Sequence, residues 1–238
     1  MRHNSCTVIV LASPAPAEVL GAVGRSMNVT LVRPAEPDAS DGASGVGGAS
    51  GVSGVGGVSG PQRLAAAADA LRRAASAPSA YTLVTADPLA AVADGWRAMW
   101  DLAQPQGPGR FEQEASAALA AWRAGRFELP DYYLVTARGT AGTSAAGVPG
   151  ATADPPPADP SSQLEQDFYL GPLRAARPHR VAFVPAAEPA EQAAGVLQAL
   201  GSLRHGPWWP GLDELIEAAR TFYPGRLSET AAALGTPG

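Results

Sequence analysis

Short β-branched runs alternate along this chain with longer stretches whose apolar residues recur every three to four positions. CTVIVLA (6–12) is apolar at nearly every position, the pattern of a strand buried on both faces. Ser13-Pro14 then supplies a cap and a first-turn proline, and Val19, Leu20, Val23 and Met27 form a helical stripe. NVTLVR (28–33) and YTLVTA (81–86) predict the second and third strands, with a helix through Leu64, Ala67, Ala68, Leu71 and Ala75 between them. Asp87-Pro88 opens a helix carrying Leu89, Val92, Trp96 and Met99 on one face. Another helix follows over 110–124, with Phe111, Ala115, Ala118, Leu119 and Trp122 in line, and DYYLVTA (131–137) is a fourth strand. DFYLG (167–171) and RVAFVPA (180–186) predict two more strands. Two helices close the pattern, one through Val196, Leu197, Leu200 and Leu203, the other through Leu212, Leu215, Ile216, Ala219 and Phe222.

Strands separated by helices imply right-handed crossovers and a mostly parallel sheet. The expected fold is therefore α/β, a three-layer sandwich, Rossmann-like in the loose sense. DYYLV and DFYLG resemble one another in composition and are expected to pair antiparallel as an edge hairpin. Two low-complexity segments interrupt the pattern. Residues 34–61 are Gly/Ser-rich and repeat SGVGGAS (44–50) as SGVGGVS (53–59); residues 139–164 are rich in Pro, Ala and Gly. Such composition cannot bury enough surface to offset chain entropy, so both are expected to be flexible insertions in one α/β domain spanning 1–238.

The chain has 238 residues, 46% of them apolar, and a net charge of −5. The acidic balance argues against a protein held to nucleic acid by bulk charge. All of its basic side chains apart from histidine are arginine. A lysine-free, Ala/Arg/Gly/Pro-rich composition fits high-GC coding of a bacterial kind. It also excludes a Schiff-base lysine, a phosphate-loop lysine and a Ser–Lys dyad. The one cysteine, Cys6, permits no internal disulfide and no multi-cysteine zinc site, which fits a reducing cytoplasm. The apolar run near the start is only seven residues long behind one arginine and a histidine, so it reads better as a first buried strand than as a signal peptide, and no run approaches the length of a membrane span. No G-x-G-x-x-G follows the first strand, and no G-x-S-x-G or H-E-x-x-H occurs. No cofactor or metal is therefore expected.

Three clusters remain as candidates for chemistry. In DFYLGPLRAARPHR (167–180), Arg174, Arg177, His179 and Arg180 gather in what Gly171-Pro172 and Pro178 mark as a loop. Guanidinium forks suit carboxylate or phosphate, and histidine can serve as acid or base. The arginines are expected at the surface. In LRHGPWWPG (203–211), His205-Gly206 has the form of a helix C-cap, and Trp208 and Trp209 sit between Pro207 and Pro210. Paired tryptophans can anchor a partner or fill a gap between helices. A right-handed crossover between strand 180–186 and the following helix brings 174–180 and 204–209 to one edge of the sheet. The third cluster is acidic: Asp87 follows its strand and has the position of a helix N-cap, whereas Asp131 and Asp167 precede theirs. Two readings follow. One is a non-catalytic module that binds a protein partner or small anionic ligand through Arg174, Arg177, Arg180, Trp208 and Trp209. The other is an enzyme acting on a small anionic substrate, with the arginines as clamp and His179, His205 and Asp87 as acid/base groups. It requires all of these around one cleft.

Overall fold

The computed structural model describes residues 6–12, 15–26, 28–34, 59–100, 107–137 and 166–224. Five strands form one sheet: β1 (Thr7–Leu11), β2 (Val29–Val32), β3 (Tyr81–Val84), β4 (Tyr132–Thr136) and β5 (Val181–Val184), in the order β2-β3-β1-β4-β5. Each pairing is parallel, with Val10 level with both Val84 and Tyr133. The β-branched runs become strands because both faces of the sheet are covered. Val8 and Val10 of β1 enter one core layer, Ile9 and Leu11 the other. The molecule is thus the expected three-layer α/β sandwich.

Helices α1 (Ala17–Gly24) and α6 (Pro189–Gly201) cover one face through Val19, Val23, Ala193, Val196 and Leu200. The other face carries α2 (Gly60–Ala75), α3 (Ala90–Trp100), α4 (Gly109–Arg123), α5 (166–176) and α7 (Leu212–Thr221). The connection from β1 runs outward to β2, while those from β2, β3 and β4 run the other way. With one crossover hand, that reversal sends α1 to the opposite face.

Two expectations about the first insertion and Cys6 meet the structure directly. Helix α2 begins at Gly60, capped by Ser59, whose amide donates to Gln62 Oε1 at 3.1 Å, so the ordered chain resumes inside the span 34–61. The rest of that span beyond Pro34, and the segment 139–164, lie outside the described residues. Cys6 is buried, with its Sγ 2.9 Å from Thr82 Oγ1.

The edge hairpin is not formed. DFYLG is helical: α5 opens with a turn over 166–168, widens into a π segment at Tyr169–Leu173 and closes at Arg174–Ala176. A short aromatic run has no period long enough to separate strand from helix, and here Phe168, Tyr169 and Leu173 are all buried on one side. Gly171-Pro172 does not break the helix. The wider π turn accommodates a proline that has no N–H to give and would clash in a regular α turn. Glycine at 171 fits because a Cβ there would stand 2.7 Å from Phe222 Cε1.

The α3–α4 crossing is comparably close and less forgiving. A Cβ on Gly95 would lie 2.8 Å from Phe111 Cα, a backbone atom that cannot step aside. Gly95→Ala is expected to destabilise the fold by about 2 kcal/mol through overpacking, against the small helix-propensity gain alanine brings at an open site. Chemical denaturation of the variant measures this.

Candidate functional site

Parallel strands give the sheet two unlike edges. Arg180 immediately precedes β5, so residues 174–180 lie at the amino edge. The connection 202–211 comes back to that same edge after α6. The two clusters separated in sequence are therefore neighbours, as the crossover argument requires.

Arg180 holds them together. Its Nε donates to the Pro207 carbonyl at 3.1 Å, its Nη2 to Gly206 O at 2.9 Å and its Nη1 to Asp131 O at 2.9 Å. The guanidinium carbon lies 5.0 Å from the Tyr132 ring centroid and 4.6 Å from that of Trp208, so aromatic faces cover it on two sides. The residue is 7% exposed, which corrects the expectation that all three arginines lie at the surface. The cause is what surrounds it: the Gly206 and Pro207 carbonyls belong to neither helix and take side-chain donors, and the Tyr132 and Trp208 rings close over the guanidinium. Arg177 Nε adds a bond to Trp208 O at 2.6 Å, and the His179 Nε2–H donates to Pro207 O at 3.0 Å. Tyr132 donates its hydroxyl to Arg204 O at 2.9 Å. Arg174, Arg204 and His205 remain exposed.

His205-Gly206 is not a helix cap. Helix α6 ends at Gly201 with Ser202 as its C-cap, three residues earlier. Gly206 is crowded from another side: a Cβ there would meet His179 Nε2 at 2.3 Å, so a side chain at 206 displaces the imidazole.

The two tryptophans divide the possible roles between them. Trp209 is 5% exposed, donates its indole N–H to Pro130 O at 2.8 Å and packs edge-on to Tyr133 with centroids 5.7 Å apart. Trp208 is 47% exposed and stacks on Arg180. One indole is core and the other is a fixed surface.

Asp87 stands at the opposite, carboxyl edge, past the end of β3. It caps α3 as expected, its Oδ1 accepting the Leu89 amide at 2.9 Å. The sequence reading missed its other partners. Tyr133 in β4 donates to Oδ1 at 3.2 Å, and Tyr169 in α5 donates to Oδ2 in a short hydrogen bond. Burial pushes the Asp87 carboxyl up to about 6, against the pull of the Tyr169, Leu89 and Tyr133 hydrogen bonds. The same enclosure, with Asp87 beside it, raises the Tyr133 phenol well above its ordinary range. Asp131 turns its Oδ2 to the Val8 amide at 2.7 Å, so it fastens β1 at the amino edge. Asp167, in α5, is raised to about 6 by burial. His179 and Asp87 thus sit at opposite ends of a parallel sheet, and His205 follows α6 at the amino edge. The structure does not gather His179, His205 and Asp87 around one cleft.

Two substitutions separate these roles. Arg180→Gln leaves three carbonyls without their cationic donor and is expected to destabilise by about 2 kcal/mol, whereas Arg174→Gln changes stability by less than about 0.5 kcal/mol. Denaturant titration of each variant reads the difference.

The pH dependence of Asp87 has a definite sign. Its carboxyl sits near 6 in the fold against an ordinary 3.8. Between those values the folded chain holds a proton that the unfolded chain has lost. Stability present at low pH is therefore lost as pH rises through about 6, by on the order of 2–3 kcal/mol. Asp87→Asn cannot titrate, so the difference in stability between it and the wild type is expected to grow from pH 4 to pH 7, in favour of the variant. Urea unfolding across that range checks it.

No family model and no curated protein matches this chain. Among solved structures the fold is similar to that of the NadR protein in complex with NAD and AMP-PNP, with 14% identity and a TM-score of 0.44 over 87% of this chain. The chain spans about half of that structure, covering 53% of it. The similarity concerns the α/β arrangement and not ligand or activity. Among the described residues, no helix is long and apolar enough to cross a membrane.

Proposed function

We propose that this chain is a non-catalytic α/β interaction module that binds an acidic protein segment at the amino edge of its sheet. The surface comprises Arg174, Arg177, Arg204, His205 and Trp208, with Arg180 and Trp209 as its foundation. The observation that carries the reading is the fixing of an exposed indole. Trp208 is held by its own carbonyl to Arg177 and by its ring to Arg180, so an apolar anchor is presented with little rotamer freedom left to lose on binding.

Charge supports the same reading. The whole chain is acidic, at −5, yet residues 168–187 and 192–212 contain no Asp or Glu while carrying Arg174, Arg177, Arg180 and Arg204. Such a local excess steers an acidic partner to one place and leaves the rest of the surface repellent. The partner's carboxylates meet Arg174 and Arg204, and an apolar side chain beside them packs on Trp208.

A peptide of ten glutamates carrying one central leucine serves as the probe, followed by tryptophan emission at low salt. Saturable binding is expected, weakening as salt rises. The double variant Arg174→Gln/Arg204→Gln should bind about tenfold more weakly, a change of about 1.4 kcal/mol, with thermal stability unchanged. Trp208→Ala should weaken binding at least as much. Affinity untouched by either variant overturns the reading. Equal competition by inorganic phosphate reassigns the surface to a small anionic ligand.

A further inference from the structure

The two edges of the sheet are linked by one helix and one ring. Helix α5 begins at the carboxyl edge, where Gln166 Nε2 donates to Thr136 O at 3.4 Å, and ends at the amino edge, where Arg177 binds the Trp208 carbonyl. Near its start, Tyr169 grips Asp87 from within the π segment. Tyr133 provides the second link. Its hydroxyl is on Asp87, while its ring lies 5.6 Å from Tyr169 and 5.7 Å from Trp209, the residue next to Trp208. Asp87 therefore touches both supports of the Trp208 turn without touching the turn itself.

We propose that the Asp87–Tyr169–Tyr133 cluster is a proton-operated latch on α5, closed when Asp87 is neutral and loosened when it is charged, and that it regulates the Arg/Trp surface at the other edge. The proposal rests on the function proposed above for that surface. The direction follows from burial. A neutral carboxyl keeps the Leu89 amide and the Tyr133 hydroxyl on Oδ1 and gives its own proton to the Tyr169 oxygen from Oδ2, so the contacts stand with no charge to enclose. A carboxylate accepts from all three donors, but among the described residues no cation acts on it, and the charged side chain that does, Asp94, is of like sign. Arg63 from α2 is engaged with that Asp94, at 2.6 Å. The groups facing Asp87 are thus Tyr133 from β4, Tyr169 from α5 and Asp94 from α3. Relief of a buried charge comes from water, and water enters where the packing gives. A π turn leaves α5 with weaker axial bonding than a regular helix, so α5 is the element that yields. Burial sets the transition near pH 6, where small changes in proton activity shift the population.

The experiment measures protection of α5 and 202–211 backbone amides by hydrogen exchange, corrected for intrinsic rate, together with Trp208 emission isolated by subtracting the Trp208→Phe spectrum. Both are followed from pH 4.5 to 8 without any partner present. The wild type should lose protection several-fold in both segments as pH rises, with a midpoint near 6 shared by the emission change. Asp87→Asn should abolish the transition and stay protected throughout. Tyr169→Phe preserves packing but removes a bond that favours the carboxylate, so its midpoint should move upward. His179 contacts the same turn and Asp167, on α5 itself, is also raised to about 6 by burial, so His179→Gln and Asp167→Asn must each leave the transition in place. A transition lost in His179→Gln or Asp167→Asn, or unmoved in Tyr169→Phe and Asp87→Asn, overturns the latch. Because no partner is used, that outcome leaves the peptide-binding result standing, and failure of peptide binding leaves the structural coupling standing.

Discussion

A guanidinium that meets no carboxylate among the described residues organises the amino edge of this molecule. Arg180 distributes its donors over the carbonyls of Asp131, Gly206 and Pro207, and two aromatic rings cover its faces. The connection 202–211 leaves α6 and reaches α7 with no regular hydrogen-bonding pattern of its own. Its carbonyls need donors wherever water is excluded. Arginine suits the task better than lysine would, because a planar fork reaches several fixed acceptors at once and its flat faces stack on rings. With the turn pinned, its two indoles are forced apart: Trp209 into the core against Tyr133, Trp208 outward over Arg180. The division between foundation and surface follows from that one side chain.

The order of strands and helices was legible because each strand is covered on both faces, and double burial writes a β-branched run that no amphipathic helix imitates. Val8 to Leu11 is the plainest case. DFYLG was not legible. Five residues carry too little period to choose between a strand and a buried helical turn, and the glycine and proline that marked a break are there for Phe222 and for the π turn. Element boundaries failed for a similar reason at His205-Gly206, where a glycine packed against the His179 imidazole imitates a C-cap.

The candidate site was legible in its placement and illegible in its contacts. The crossover rule brought 174–180 beside 204–209 from topology alone. The burial of Arg180 could not be read, because a sequence counts donors on side chains while the acceptors here are backbone carbonyls, which every residue possesses. Asp87 was readable as a cap from its neighbour Pro88. Its hydroxyl partners were not, because Tyr133 and Tyr169 stand 46 and 82 residues away and carry no local signal.

The identity of residue 87 sharpens what the cluster does. A cap needs one acceptor for the Leu89 amide, and an asparagine would supply it. Asparagine would meet the tyrosines only in part: its carbonyl accepts the Leu89 amide and the Tyr133 hydroxyl, but its amide nitrogen can only donate, which reverses the Tyr169 bond. What aspartate adds beyond a second acceptor is charge, in a place where burial makes charge costly enough to raise the carboxyl to about 6. Capping alone therefore accounts for a polar residue at this position, and three donors meeting two oxygens account for a carboxyl. The feature that the carboxylate alone brings is a dependence on proton activity, and it is brought to the point where β3, β4 and α5 meet, on the helix whose far end holds the surface indole.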